Sequence, residues 1–302
     1  MEKQELHENT IEASATRTHK DTLFRFIFSG ENERSKGWLL SLYNALNGSN
    51  YSDKTELQIT TIQNVIFITM KDDISFLIDS DMNLYEHQST VNPNMPLRGL
   101  MYFAKLYQKE LSRRNQQLYG SAIIKIPSPK FVVFYNGTTE QADMLKYRLS
   151  DAFEKPSEPG EFEWTATVIN VSANHNEVLQ KKCKALYDYG IFVANVRKRI
   201  AKGQATDEAV KAAVVDGIND KLLDGLFEEQ KMEIIGMSLT EFDKEAYEKT
   251  IREEGREQKA LEAAENLIKL EKLTVEQIAQ SMGLPLETVK QLAEKLKIPA
   301  HA

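Results

Sequence analysis

The sequence contains almost no cysteine and no long apolar run. Its single cysteine, Cys183, excludes an intramolecular disulfide framework and a zinc site built on paired cysteines. The neighbouring residues, LQKKCKALYDYG, predict a helix in which Cys183 is a small apolar side chain. No stretch approaches the ~18 consecutive apolar residues of a membrane span, and no apolar leader segment opens the chain. We therefore expect a cytoplasmic protein that has no membrane partner.

The chain also lacks a glycine-rich phosphate loop, which argues against a doubly wound nucleotide-binding fold. Apolar residues recur at helical spacing in THKDTLFRFIFS and SKGWLLSLYNALNG, residues 18–29 and 35–48. Thr18 is the candidate N-cap of the first helix, and the second is expected to end at Gly48.

Further elements follow these two helices. We expect a helix at 92–114, a strand at 130–137, a strand at 162–171 and a helix at 176–201. NVIFITM, residues 64–70, fits a strand and a helix equally. With the hairpin described next, this order predicts an α/β sandwich followed by an all-α C-terminal region.

The segment KDDISFLIDSDMNLYEHQS, residues 71–89, has two apolar stretches separated by Asp79 and Ser80. This pattern predicts two strands joined by a two-residue turn. Asp79 and Asp81 are then turn residues, roughly 20 Å along the strand from Glu86, and cannot share a ligand with it.

Such a turn also predicts the register of the hairpin, because partners across the strands then have numbers that sum to 159. Asp73 faces Glu86, and Lys71 faces Gln88. Facing carboxylates repel each other unless a cation compensates their charge. Two carboxylates with a backbone carbonyl and water suit Mg²⁺, with Mn²⁺ or Ca²⁺ as alternatives. Asp73 and Glu86 are therefore the predicted metal ligands.

The net charge of -7 is unevenly distributed along the chain. Residues 98–148 hold nine Lys and Arg residues against three Asp and Glu residues, although the protein as a whole is acidic. We expect Arg98, Lys105, Arg113 and Arg114 to flank the cleft at the carboxylate pair, where a phosphate backbone could bind. A solvated face that balances the acidic hairpin explains these residues equally well.

Five motifs in this order, KDTLFR, DDISFL, LYEHQS, MPLRGLMYFAKLY and FVVFYNG, resemble the Rpn family of recombination-promoting nucleases and putative transposases. That family belongs to the PD-(D/E)XK nuclease superfamily, and the resemblance covers about residues 18 to 200. It implies a restriction-endonuclease-like α/β sandwich with a mixed central sheet. It also implies a divalent-metal-dependent DNA endonuclease whose catalytic residues are Asp73, Glu86 and Gln88.

Gln88 departs from the superfamily pattern, which has lysine at this position, although Glu-x-Gln is typical of the Rpn branch. Glutamine cannot transfer a proton, but it can orient a water molecule. The resemblance suggests accessory roles for Asp21 and for Arg98, which could contact a phosphate. Tyr135 could line the site. His87 should point to the opposite face of the sheet, where a structural role is favoured over metal binding.

The C-terminal sequence has a different character. Residues 242–272 are rich in charge and have no broad apolar face, which is typical of an exposed helical linker. In VEQIAQSMGLPLETVKQLAEKL, residues 275–296, the spacing of Ala279, Gly283 and Val289 resembles a helix-turn-helix. Lys290 and Gln291 would then face DNA. A structural helical hairpin or self-association element fits the same residues equally well.

These observations predict four regions: a disordered N-terminus at 1–18, a nuclease-like domain at 19–202, a helical and charged linker at 203–264 and a helix-turn-helix-like unit at 265–302. The expected partners are DNA and a second copy of the chain, bound through helical regions. The predicted function is DNA cleavage in recombination, in transposition or in defence against foreign DNA. The alternative is a DNA-binding or assembly protein that retains the nuclease fold with weak catalysis or none.

Overall fold

The computed structural model describes residues 22–52, 57–59, 73–116, 118–156, 158, 160–270 and 272–297. Several predicted features lie outside these residues: the N-terminus at 1–18 with Thr18, Asp21, the segment 64–70 and Lys71. The chain divides into two compact units, Met1–Phe242 and Asp243–Ala302. In the described part of the chain, no helix is both long and apolar enough to cross a membrane.

The first unit opens with two helices that begin at side-chain caps. Helix α1 spans Leu23–Phe28, and the Thr22 hydroxyl accepts a backbone N–H of its first turn. Helix α2 spans Glu33–Asn47 and is capped in the same way by Asn32. Gly48 ends α2 in the left-handed conformation, at φ 64°, which confirms the predicted stop.

A mixed sheet forms the centre of this unit. Its strands are β1 Gln58–Ile59, β2 Ile74–Ile78, β3 Asp81–Gln88, β4 Ser128–Tyr135, β5 Met144–Arg148 and β6 Thr165–Asn170. The order across the described sheet is β1-β2-β3-β4-β6-β5, with β3, β4 and β6 parallel and the other neighbours antiparallel. The predicted α/β class and mixed sheet are confirmed. Strand β5 was not predicted, although its residues alternate between exposed and half-buried positions.

The hairpin register is the predicted one. Ile74 pairs with Tyr85 and Ile78 with Asp81, so partner numbers sum to 159. Asp79 is exposed and has φ 51°, a left-handed conformation that aspartate tolerates in turns. Asp81 accepts a hydrogen bond of 3.3 Å from Tyr43, on α2, and burial together with this carboxylate raises the pKa of Tyr43 to about 12.

Helix α3, Met95–Arg113, crosses between β3 and β4 and covers one face of the sheet. Pro96 lies in its first turn, where the missing N–H costs nothing. Gly99 allows close packing, because a Cβ there would lie 2.4 Å from the ring of Phe131. The apolar residues of this face include Leu84, Tyr102 and Val168.

Helices also cover the other face. A single helix was predicted at 176–201, but the chain forms α4, Glu177–Lys182, and α5, Lys184–Ala201. The break is at Cys183, which is buried and has extended backbone angles. Burial raises the pKa of this thiol, consistent with a packing role.

The first unit continues beyond residue 202, the predicted domain end. Helix α6, Thr206–Asn219, and helix α7, Leu226–Glu229, pack into the same core as the sheet, as does the start of helix α8, Lys231–Lys269. The predicted linker at 203–264 therefore begins inside a packed core. Its first part carries buried apolar residues, including Val210 and Phe227, that the charge-based interpretation overlooked.

The second unit contains the rest of α8 and two short helices. These are α9, Val275–Met282, and α10, Leu286–Lys297. Ala264 on α8 contributes to a small core with Ile278 and Val289. The described part of this unit is helical, as predicted for the C-terminal region.

We expect Gly99→Ala to lower the free energy of unfolding by about 1–3 kcal/mol, because the added methyl group overpacks the interface with Phe131. Gly236→Ala on α8 is the control, since nothing lies within 4 Å of its Cβ position. This change should stabilise by up to about 1 kcal/mol through helix propensity. Urea unfolding of the full chain measures both, and equal effects would contradict the close packing of α3.

Candidate active site and helix-turn-helix unit

Two buried carboxylates lie on neighbouring strands. Asp73 immediately precedes β2 and is 1% exposed, and Glu86 on β3 is 3% exposed. Continuing the hairpin register by one residue places them opposite each other. By strand alternation both project to the face covered by α3, as does Gln88. The structure therefore brings the three predicted catalytic residues to one region of one face.

Arg98 provides the positive charge beside this pair. Its Nη2 lies 2.8 Å from Oε1 of Glu86, and its side chain remains 30% exposed. Burying a carboxylate is costly unless a charged partner compensates the lost hydration. Because Arg98 lies in the first turn of α3, the start of this helix determines where the compensating charge is placed.

Gln88 and Tyr135 end neighbouring parallel strands and pair with each other in the register. Gln88 is half-buried, whereas Tyr135 is buried and its hydroxyl donates to the carbonyl of Thr139 at 2.8 Å. Gly137 allows this loop to close tightly, because a Cβ there would lie 2.0 Å from the Ser89 carbonyl oxygen. Tyr135 thus shapes the loop beside the carboxylates.

His87 projects to the opposite face, as alternation predicted. Its ring stacks on Phe24 with centroids 4.8 Å apart, and its Nε2 lies 2.9 Å from the Tyr189 hydroxyl. That hydroxyl donates to Glu241 at 3.2 Å and accepts from Asn136 Nδ2 at 2.7 Å. A hydroxyl has one proton, so His87 Nε2 acts as a donor here. The network anchors the end of β3 behind Glu86.

The predicted DNA-binding residues are not gathered around the carboxylates. Helix α3 runs antiparallel to β3, so Arg113 lies about 22 Å along the helix from Arg98. Arg113 and Arg114 both bind Glu110, at 2.7 Å and 2.6 Å. Lys105, about two turns before them, is half-buried. The predicted cluster around the cleft is therefore wrong, because the helix carries its C-terminal arginines to the other end of the sheet.

These ion pairs also change the titration of Glu110. Hydrogen bonds from Arg113 hold the pKa of the Glu110 carboxyl below its ordinary value, and Arg114 adds to the effect. Both arginines have substantially exposed side chains, so the pairs are screened by solvent. Glu110 therefore balances part of the positive charge at the C-terminal end of α3.

A divalent cation fits the chemistry of the carboxylate pair. Asp73 and Glu86 offer oxygen ligands, which Mg²⁺ prefers, and water usually completes its coordination. Across the residues that the structure describes, no group of three or more His, Cys, Asp or Glu side chains is arranged as a metal site. The two carboxylates would therefore suit a divalent ion that keeps several of its water ligands.

Further polar groups at this end of the sheet were not predicted. Asn170 ends β6 beside Tyr135, and its backbone N–H donates to the Asp143 carbonyl. The Asp143 carboxylate lies 2.6 Å from Nδ1 of His175, and Asn176 donates to the Asp143 carbonyl. The polar run SANHN after a predicted strand was the available signal.

In the second unit, α9 and α10 form a helix-turn-helix. Thr274 and Gln277 make a reciprocal capping box at the start of α9. Gly283 ends α9 with φ 66°, and Val289 on α10 is buried, both as predicted. The predicted DNA-facing residues, Lys290 and Gln291, are exposed.

Comparison with known protein families gives a match in the second unit. Residues 254–295 match the family described as Sigma-70, region 4. The match includes α9 and most of α10. No curated protein and no solved structure matches the chain.

The low pKa of Glu110 predicts pH-dependent stability. Glu110→Gln should lower the free energy of unfolding near neutral pH by about 1 kcal/mol, given the exposure of its arginine partners. A carboxyl whose pKa is depressed on folding stabilises above its unfolded pKa, and this contribution is lost as pH falls through the folded value. Urea unfolding at about pH 7 and about pH 3 should show a smaller difference between the variants at the lower pH. Glu31→Gln, at an exposed residue away from these arginines, is the control, and an equal loss in both variants would contradict the assignment.

Proposed function

We propose that the protein is a divalent-metal-dependent DNA endonuclease with a restriction-endonuclease-like fold in its first unit. One observation carries the proposal. Asp73 and Glu86 are buried and lie at facing positions when the hairpin register is continued by one residue, and Glu86 pairs with Arg98. Natural sequences rarely bury two facing carboxylates in a sheet without a functional reason.

The order of elements supports this proposal. A helix, a hairpin that carries both acids, a crossover helix and a buried parallel strand follow one another in the described chain, and a nuclease of this kind would use the same order of elements. The mixed sheet has helices on both faces. This arrangement leaves the carboxyl ends of β3, β4 and β6 at the end of the sheet where the acids lie.

Asp73 and Glu86 would hold the cation. When bound, Mg²⁺ would supply positive charge to a phosphate oxygen and lower the pKa of a water molecule. Gln88, half-buried at the end of β3, would orient the attacking water through its amide, since it cannot accept a proton as a base. The exposed part of Arg98 would contact a phosphate of the substrate, and its guanidinium is suited to such contacts.

The second unit would bind the DNA. Its helix-turn-helix matches Sigma-70, region 4, and the exposed face of α10 carries Lys290 and Gln291. Glu287 and Glu294 on the same helix limit the positive potential. Binding through this unit would therefore depend on direct contacts from a few residues, with a small salt dependence.

A second function fits two observations. The ion pair of Arg98 with Glu86 competes with a metal ion for the same carboxylate, and Gln88 stands where the wider superfamily has lysine. A DNA-binding or assembly protein that retains the fold with weak catalysis or none would have these features. Cleavage assays distinguish the two functions.

Metal-dependent nicking of supercoiled plasmid DNA should occur with the full chain and Mg²⁺. Asp73→Asn and Glu86→Gln should each lower the rate by at least about 100-fold, because each removes a ligand charge. Asp79→Asn is the matched control: it removes a carboxylate from the same hairpin at an exposed turn residue whose left-handed conformation suits asparagine. A wild-type chain without activity, or equal loss in the control, would favour the non-catalytic alternative.

DNA binding by the second unit is tested separately from cleavage. Lys290→Ala should weaken binding to duplex DNA several-fold and reduce the salt slope of log K by about one. Lys272→Ala removes an exposed charge of the same unit before α9 and serves as the control. Fluorescence anisotropy at several salt concentrations measures both. If Lys290→Ala leaves the salt slope unchanged, α10 does not contact the DNA.

A further inference from the structure

A basic and apolar loop lies at the end of the sheet remote from the carboxylates. We call residues 113–130 the basic loop, because they contain four Lys and Arg residues and no Asp or Glu. The loop connects α3 with β4. Its apolar side chains project into water: Tyr119 is 100% exposed, Ile123 85% and Leu118 71%. A concentration of exposed apolar side chains of this kind marks an interaction surface.

The base of this loop is held in place. The Tyr107 hydroxyl donates to the Pro127 carbonyl at 2.8 Å, and Arg114 Nη1 donates to the Lys125 carbonyl at 3.2 Å. Residues 118–123 lie between these attachments. These attachments hold the two ends of the loop against the protein and leave residues 118–123 exposed between them.

A neighbouring segment has the opposite charge. Residues 151–163, which we call the acidic segment, contain five Asp and Glu residues and one Lys. Two aromatic side chains are exposed in it, Phe162 and Phe153. Its last carboxylate, Glu163, accepts hydrogen bonds from Ser150, which holds the end of the segment against the sheet.

The basic loop and the acidic segment are adjacent. They lead into β4 and β6, which are parallel neighbours, so both lie at the amino ends of these strands. Lys130 and Glu163 line the same cleft, together with Phe131 and Trp164. Within the described residues, neither Lys125 nor Lys130 forms an ion pair with a carboxylate, although Arg98, Arg113 and Arg114 all do.

We propose that this end of the sheet binds a second copy of the chain about a two-fold axis. A surface with adjacent patches of opposite charge is complementary to itself: rotation by half a turn brings each patch onto the other, and every contact occurs twice. The exposed aromatic and aliphatic side chains would form the apolar centre, and the charges would select the orientation. The carboxylates at the opposite end of the sheet would remain accessible.

The solution mass of the full chain tests this interface. Light scattering at micromolar concentrations should give twice the chain mass of 34.5 kDa. Two reversals, Lys125→Glu with Lys130→Glu, and Glu154→Lys with Glu158→Lys, should each raise the dissociation constant at least about 10-fold, because like charges then face each other. The matched control, Lys198→Glu with Lys202→Glu, changes exposed charges on and just after α5 and should leave the mass at that of a dimer.

Mixing the two reversed chains provides the decisive result. The lysine reversal removes the net positive charge of the basic loop, and the glutamate reversal removes the net negative charge of the acidic segment. In an equimolar mixture the unchanged acidic segment of one chain faces the unchanged basic loop of the other, and the introduced glutamates face the introduced lysines, so the mixture should recover the dimer mass that neither has alone. Recovery cannot be explained by misfolding of either variant. Leu118→Ser with Tyr119→Ser should weaken the dimer independently of charge.

Several results would overturn the proposal. These are a monomer for the unaltered chain at every concentration, a dimer that survives both reversals, and a mixture that stays monomeric. A mass that keeps rising with concentration would show open-ended association instead of a two-fold dimer. If the lysine reversal weakens DNA binding and leaves the mass unchanged, the loop binds nucleic acid and not a second copy.

Discussion

The burial of two facing carboxylates is the constraint on which the candidate site depends. Asp73 and Glu86 would repel each other in an apolar sheet, and each has lost almost all contact with water. The fold meets this cost with charge, because Arg98 reaches Glu86 from the first turn of the crossover helix. The position of Pro96 and the length of the loop after β3 therefore matter for the electrostatics of the site.

The two ends of the parallel strands have different chemistry. At the carboxyl ends, polar side chains accumulate, from Gln88 to the hydrogen-bonded Asp143 and His175. At the amino ends, the connections carry exposed apolar side chains and unbalanced charge of both signs. A sheet of this kind can place a reaction at one end and an interface at the other without conflict.

Positive charge counted along the sequence did not predict which basic residues lie near the carboxylates. The basic region at 98–148 is a single cluster along the chain, but α3 spreads it over about 22 Å, and Glu110 neutralises part of it. Helix direction and local ion pairs decide which charges are available, and neither can be counted from composition.

Local sequence patterns predicted the turns and helix ends, because these depend only on residues that are neighbours in the sequence. A two-residue turn set the hairpin register, an Asn-Gly pair ended α2, and a glycine at the correct spacing ended α9. Two further features depended on contacts between distant residues. The core extends through Phe227, which packs against residues far earlier in the chain, and Glu86 pairs with Arg98 only because α3 folds back over the sheet. Burial and charge pairing are properties of neighbours in space, so tertiary structure alone could assign them.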